Sequence, residues 1–174
     1  MLGRAGLPPN PFTANSPSSP GDTVTAQEED IWRFLREKLD IHSKNALYIE
    51  AFTHSANPNA EPKPRTNGNL AYLGDSIINF VFGDYCYKKF HPEGTKGMMS
   101  KRSNAMRSDS YLSKLAQKLW EDYPDIIISD NPPRSKKGLA TMRAKALEAL
   151  FGAIYLDQGF EKACALAEKH LLGL

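Results

Sequence analysis

The tract NGNLAYLGDSIINF, residues 67–80, sets a carboxylate, Asp75, beside a glycine in the middle of an amphipathic rhythm. Residues four apart share one helix face, so a second acid at position 71 would complete a pair of oxygen ligands for a hard divalent cation. Position 71 is alanine. The tract therefore reads either as half of a metal site or as a site that has been taken apart. Other chemistries find less support. His42, His54, His91 and His170 show no metal-ligand spacing, and no Ser-His-Asp arrangement or glycine-rich phosphate loop is recognisable. Cys86 and Cys164 are read as two reduced thiols inside helices.

A chain of 174 residues with 41% hydrophobic and 24% charged residues has the composition of one ordinary globular domain with a tail. No apolar run approaches the roughly 18–20 residues of a membrane span, so no membrane partner is expected. The net charge of +2 hides an uneven distribution. Lys88, Lys89, Lys96, Lys101, Arg102 and Arg107 face a single acid, Glu93, across residues 88–107. Arg134, Lys136, Lys137, Arg143 and Lys145 fall in residues 131–147 with no acid at all. Such segments serve as a solvated basic face or as a surface that sits on phosphates.

The elements that must position these groups read as helices. Residues 1–25, with five of the twelve prolines, form an N-terminal Pro/Ser-rich arm that is disordered or extended. Thr25-Ala-Gln-Glu28 is a capping box, followed by Ile31, Phe34, Leu35 and Leu39 at helical spacing. Ser43 is the expected cap of a second helix ending near His54, and residues 56–68 form a polar loop. A long helix over residues 69–90 carries Leu70, Leu73, Ile77, Phe80 and Val81 on one stripe. Further helices are expected over 96–106, 108–120, 139–156 and 159–171. The run Ile126-Ile127-Ile128 has the composition of a strand without an evident partner. The fold class is all-α, with residues 26–174 as one domain.

Two segments together resemble the ribonuclease III catalytic domain. NLAYLGDSIINFVFGDYCYKKFHPEGTKGMMSKRSNA is similar to that family's signature helix and the helix after it, and AKALEALFGAIYLDQGFEKA is similar to its late helix. AFTHSAN, residues 51–57, resembles the stretch that precedes the signature. The match spans about residues 26–172, with Asp75 and Glu148 separated by 73 positions. The resemblance implies an all-helical dimer that cuts double-stranded RNA with divalent metal held by four carboxylates, two per helix.

Carried over residue by residue, the match is partial. The signature pair is Ala71 and Asp75, and the late pair is Lys145 and Glu148, leaving Asp75 and Glu148 as remnant acids. Gly68 and Lys96 also stand where the family usually has acids. An ammonium about 4 Å from a cation position costs roughly 4 kcal/mol at an effective dielectric near 20. The expectation is a domain with no catalytic residues and no metal or other cofactor. Lys145 would neutralise Asp75 or Glu148 in the metal's place. Tyr72 stands where the family has an aromatic that projects into its dimer partner, and is the expected dimer contact.

The chain ends at Leu174 without the double-stranded-RNA-binding domain usual in the family. Together with the lost acids, this resembles the ribonuclease III-like proteins of the mitochondrial large ribosomal subunit. The implied role is structural and mitochondrial, contacting structured RNA, chiefly ribosomal RNA. Lys88, Lys89, Lys101, Arg102, Arg107, Arg134, Lys136, Lys137 and Arg143 are the candidate RNA contacts, with another ribonuclease III-like chain, or a second copy, as partner. The alternatives are a Mg-dependent double-stranded-RNA endonuclease using Asp75 and Glu148, and a non-cutting subunit of an RNA-processing complex.

Overall fold

A computed structural model describes residues 24–55 and 65–173. The arm expected over residues 1–25 lies outside them up to residue 23, as does most of the polar loop. Helix α1 (Ala26–Leu39) opens on the capping box read from sequence: the Glu28 N–H donates to Thr25 Oγ1 at 3.2 Å, and the Thr25 N–H donates to Glu28 Oε2 at 2.8 Å. Helix α2 (Ala46–Phe52) leads into strand β1 (Thr53–Ser55), and α3 (Gly68–Phe90) is the signature helix. Then follow α4 (Lys96–Met106), α5 (Asp109–Leu119), strand β2 (Ile128–Ser129), α6 (Lys136–Gln158) and α7 (Phe160–Ala167). A π-helical turn, Glu168–Leu172, extends α7.

Helix α6 is the axis of the domain. Ala144 and every residue from Ala146 to Ile154 are buried, as expected for a helix enclosed on all sides, and it packs against α2, α3, α5 and α7. Its crossing with α3 is a backbone contact. A Cβ on Gly74 would run into the Glu148 carbonyl, and one on Gly152 would run into the Leu70 carbonyl. Leu70 meets Gly152 while Gly74 meets Glu148, so the two helices pass in opposite senses. Within the same core, an aromatic cluster joins α1, α2 and the end of α5. Phe34, Phe52, Trp120 and Tyr123 meet edge-on with centroids 5.5–6.2 Å apart.

Three local expectations are corrected. Asn45, not Ser43, caps α2, its side-chain oxygen accepting from the Leu47 N–H at 3.1 Å. Ser43 donates instead to a stronger, charged acceptor, Asp157, at 3.1 Å. The isoleucine run does have a partner: β2 pairs in parallel with β1, Thr53 opposite Ile128. Strands of two and three residues are too short to show alternation, so the pairing left no periodic signal. Phe80 is 55% exposed rather than in the core. The buried face of α3 is centred on Ala71, Gly74, Ile78 and Phe82, which turns Phe80 to its flank.

Asp157, at the end of α6, ties that helix to α2. Its carboxylate accepts from Asn45 at 2.9 Å, from the Tyr48 hydroxyl at 2.8 Å, and from Ser43 and Gln158. Burial raises its pKa, but the four donors outweigh burial and hold the carboxyl below the ordinary aspartate value. A depressed carboxyl stabilises the fold above its unfolded pKa, and that contribution fades as pH falls through the lower, folded value. Asp157→Asn is therefore expected to cost about 1–3 kcal/mol at pH 7, with the deficit shrinking below about pH 4, in urea titrations at several pH values. Gly74→Ala is expected to lose about 3 kcal/mol or more in the same assay, because the obstructing atoms are backbone.

Candidate functional site

Asp75 and Glu148 sit on the two helices that cross at Gly74, which places both acids by the same contact. Asp75 is half-buried and accepts a hydrogen bond from Asn79 Nδ2 at 2.9 Å, one turn along α3. Ala71 is packed into the core at 1% exposure and offers no ligand. Glu148 is buried at 3% exposure. Its Oε2 accepts from Lys145 Nζ at 2.6 Å, an i,i+3 pair on α6.

The charges around this pair extend beyond the positions that sequence spacing suggested. Burial would lower the Lys145 pKa. The hydrogen bond to Glu148 and the fields of Glu148, Asp75 and Asp109 overcome that and raise it, so Lys145 is an ammonium at neutral pH. Burial raises the Glu148 carboxyl, and Lys145 only partly offsets this, with Asp75 and Asp109 adding to the rise. Asp109 was not found from sequence. It stands in the first turn of α5, where an acid after the Ser108 cap is explained by the helix dipole alone. The Thr141 hydroxyl on α6 donates to Asp109 Oδ2 at 2.6 Å, bringing a third carboxylate into the field of Lys145.

These residues do not fit a divalent metal centre. The position one turn before Asp75 has no side-chain oxygen, and an ammonium is bonded to the buried acid of the late helix. Among the described residues, no three His, Cys, Asp or Glu side chains converge closely enough to hold an ion. What the arrangement supplies is charge compensation: one tethered cation facing three carboxylates.

The remaining candidates lie on outer faces. Tyr72 is 82% exposed on α3, and a groove of about 470 Å³ is lined in part by Leu47, Glu50, Arg65, Leu73 and Leu156. Lys88 pairs with Asp84 at 2.7 Å, and Lys89 donates to the Tyr85 hydroxyl at 2.7 Å. Lys101, Arg102, Arg107, Arg134, Lys136 and Lys137 are exposed and Arg143 is half-buried. Among the described residues, none of these seven has an acidic partner within ion-pair distance. The Thr141–Asp109 bond brings the start of α5, next to Arg107, to the early turns of α6 that carry Lys136 and Lys137. No helix among the described residues is long and apolar enough to cross a membrane.

A long helix whose glycine admits the backbone of a second helix buried along its middle, with an acid of each brought to the crossing, defines a mostly helical domain. The profile of the Ribonuclease-III-like family matches residues 44–174, and the chain belongs to that family. It is 36% identical over 128 residues to ribonuclease 3 of Aliarcobacter butzleri, covering 72% of this chain and 54% of that protein. To ribonuclease 3 of Borreliella burgdorferi it is 34% identical over 144 residues, covering 79% and 56%. The chain thus spans about half the length of the relatives it matches. Among solved structures, the nuclease domain of Campylobacter jejuni ribonuclease III, described with a region involved in dimer formation, superposes with a TM-score of 0.69. That match is 28% identical and covers 82% of this chain and 96% of the other.

Removing Lys145 leaves Glu148 buried without its counter-charge. Lys145→Met is expected to destabilise the protein by about 2 kcal/mol at pH 7, less than a fully buried pair would lose because the Lys145 side chain is 45% exposed. Glu148 already has a raised pKa in the folded state, so its ionisation opposes folding as pH rises. The variant's deficit is therefore expected to shrink as pH falls toward about 4, where the buried acid is protonated and needs no partner. Urea unfolding of both proteins between pH 4 and 8 measures this.

Proposed function

We propose that this chain is a ribonuclease-III-like domain that does not cut RNA. In this reading it is a structural, RNA-contacting component of the mitochondrial large ribosomal subunit, paired through the Tyr72 face of α3 with another ribonuclease-III-like chain. The observation that carries the reading is the Lys145–Glu148 bond at 2.6 Å, an ammonium where divalent metal chemistry needs an acid. Asp75, Glu148 and Lys145 sum to a charge of −1, against −4 for four carboxylates. RNA contact is supported by the exposed cations of α4 and early α6, which have no acids to neutralise them among the described residues. A-form RNA is recognised through phosphates and 2′-hydroxyls, so positive charge and shape suffice without catalysis. Pairing is supported by Tyr72, a large aromatic 82% exposed, and by the dimer-forming region described for the Campylobacter domain.

A second reading rests on the relatives, which carry the name ribonuclease 3. In it, Asp75 and Glu148 still support metal-dependent cutting of double-stranded RNA. The two readings separate by direct assay. Purified protein with Mg²⁺ is expected to leave long duplex RNA intact, and the native protein is expected to co-sediment with mitochondrial ribosomal particles after a salt wash. Cleavage that disappears on Asp75→Asn overturns the first reading. A protein that remains wholly in the soluble fraction overturns its ribosomal part.

A further inference from the structure

Helix α4 is poorly justified by its own packing. Of its eleven residues only Met106 is buried, while Lys96, Met98, Lys101, Arg102 and Asn104 are all exposed. Residues 94–108 contain four cations and no acid. A short helix that buries so little gains small stability from its own contacts, which leaves its outer face and underside available to a partner.

Under α4 lies a cavity of about 200 Å³, lined by Tyr85, Arg102, Ala105, Met106, Tyr111 and Leu172. It is separate from the acids at the α3–α6 crossing. The two tyrosines are half-buried and held from behind: Tyr111 packs edge-on against Phe82 with centroids 6.4 Å apart. Tyr85 is bonded to Lys89, whose ammonium stands 5.1 Å from the Tyr85 ring centroid. Arg102, on the cavity wall, has no acidic partner among the described residues. A cavity of this size is below the roughly 300–1,000 Å³ that encloses a whole drug-sized ligand. It suits one planar ring, with the remainder of the ligand outside on a basic surface.

We propose that this cavity receives a single unpaired base of a structured RNA. The base lies against Tyr85 and Tyr111, and the flanking phosphates meet Arg102 and Lys89. The proposal rests on the RNA-contacting reading above and gives it a specific subsite. Unpaired bases stack on aromatic side chains and on guanidinium planes, whereas bases paired within an A-form helix keep their faces in the stack and present only their edges. An acidic peptide would satisfy the cations but has no flat ring to fill the space between the tyrosines.

The test uses the full chain and three labelled RNA hairpins at fixed salt: one with a single bulged adenosine, one with an abasic residue at the bulge, and one fully paired. Fluorescence anisotropy is expected to show the bulged hairpin bound about tenfold more tightly than the other two. Ala105→Trp, which adds bulk at an exposed position on the cavity wall, and Arg102→Gln are each expected to erase that preference. Equal binding of all three hairpins by the wild type overturns the base pocket while leaving the RNA reading standing. No binding to any hairpin overturns both. A preference that survives Ala105→Trp places the base elsewhere and overturns the assignment. Polyglutamate that displaces bulged and paired hairpins at the same concentration shows that charge alone is read, and also overturns it.

Discussion

The backbone contact between α3 and α6 is the constraint on which the rest of the domain depends. Two glycines, Gly74 and Gly152, let each helix come down on a carbonyl of the other, a closeness that any side chain would prevent. Because α6 is buried along nearly its whole middle, the position of α3 against it sets where α2, α5 and α7 can pack around the pair. The same contact puts Asp75 and Glu148 together, since one follows Gly74 directly and the other supplies the carbonyl that Gly74 meets. Architecture and site geometry therefore share one cause.

Bringing acids together in a half-buried position creates an electrostatic problem that must be solved. Two or three carboxylates in a low-dielectric crossing repel, and burial alone raises the Glu148 carboxyl. A divalent ion is one solution to such a cluster. Here the protein carries its own cation, Lys145, in contact with Glu148 and in the field of Asp75 and Asp109. It offsets part of the negative charge gathered there.

The outer surface divides along similar lines. One face of α3 presents Tyr72 and Phe80, the latter tilted against Phe160 at 5.3 Å. The C-terminal half of α3 and α4 carry cations, of which Lys88 is paired internally and Lys89 leans on a tyrosine. The remaining cations of α4 and early α6 lack acidic partners among the described residues. Positive charge without internal partners repels itself and attracts anions. The functional reading thus relies on an inner site that has its own counter-ion and an outer surface that lacks one.

Much of this was legible in local sequence. The helices α1, α3, α5, α6 and α7 follow from apolar spacing, and the Thr25–Glu28 capping box from four residues, because helix periodicity and capping are short-range effects. LGDS and EALFGAIYLDQGF identified the family, and the identities of Ala71 and Lys145 raised the question of the metal before any geometry was known. Which acid Lys145 neutralises was open: Asp75 or Glu148. Three-dimensional packing decided for Glu148, and added Asp109 of α5, which no spacing connects to Thr141 and Lys145 of α6. The β1–β2 pair, the exposure of Phe80 and the cavity under α4 also came only from packing. The sequence by itself determined which helices form and which chemical groups they carry, since both are local properties. The tertiary structure decided which of those groups meet, because long-range contacts are set by the crossing of α3 and α6 and not by any neighbour in the chain.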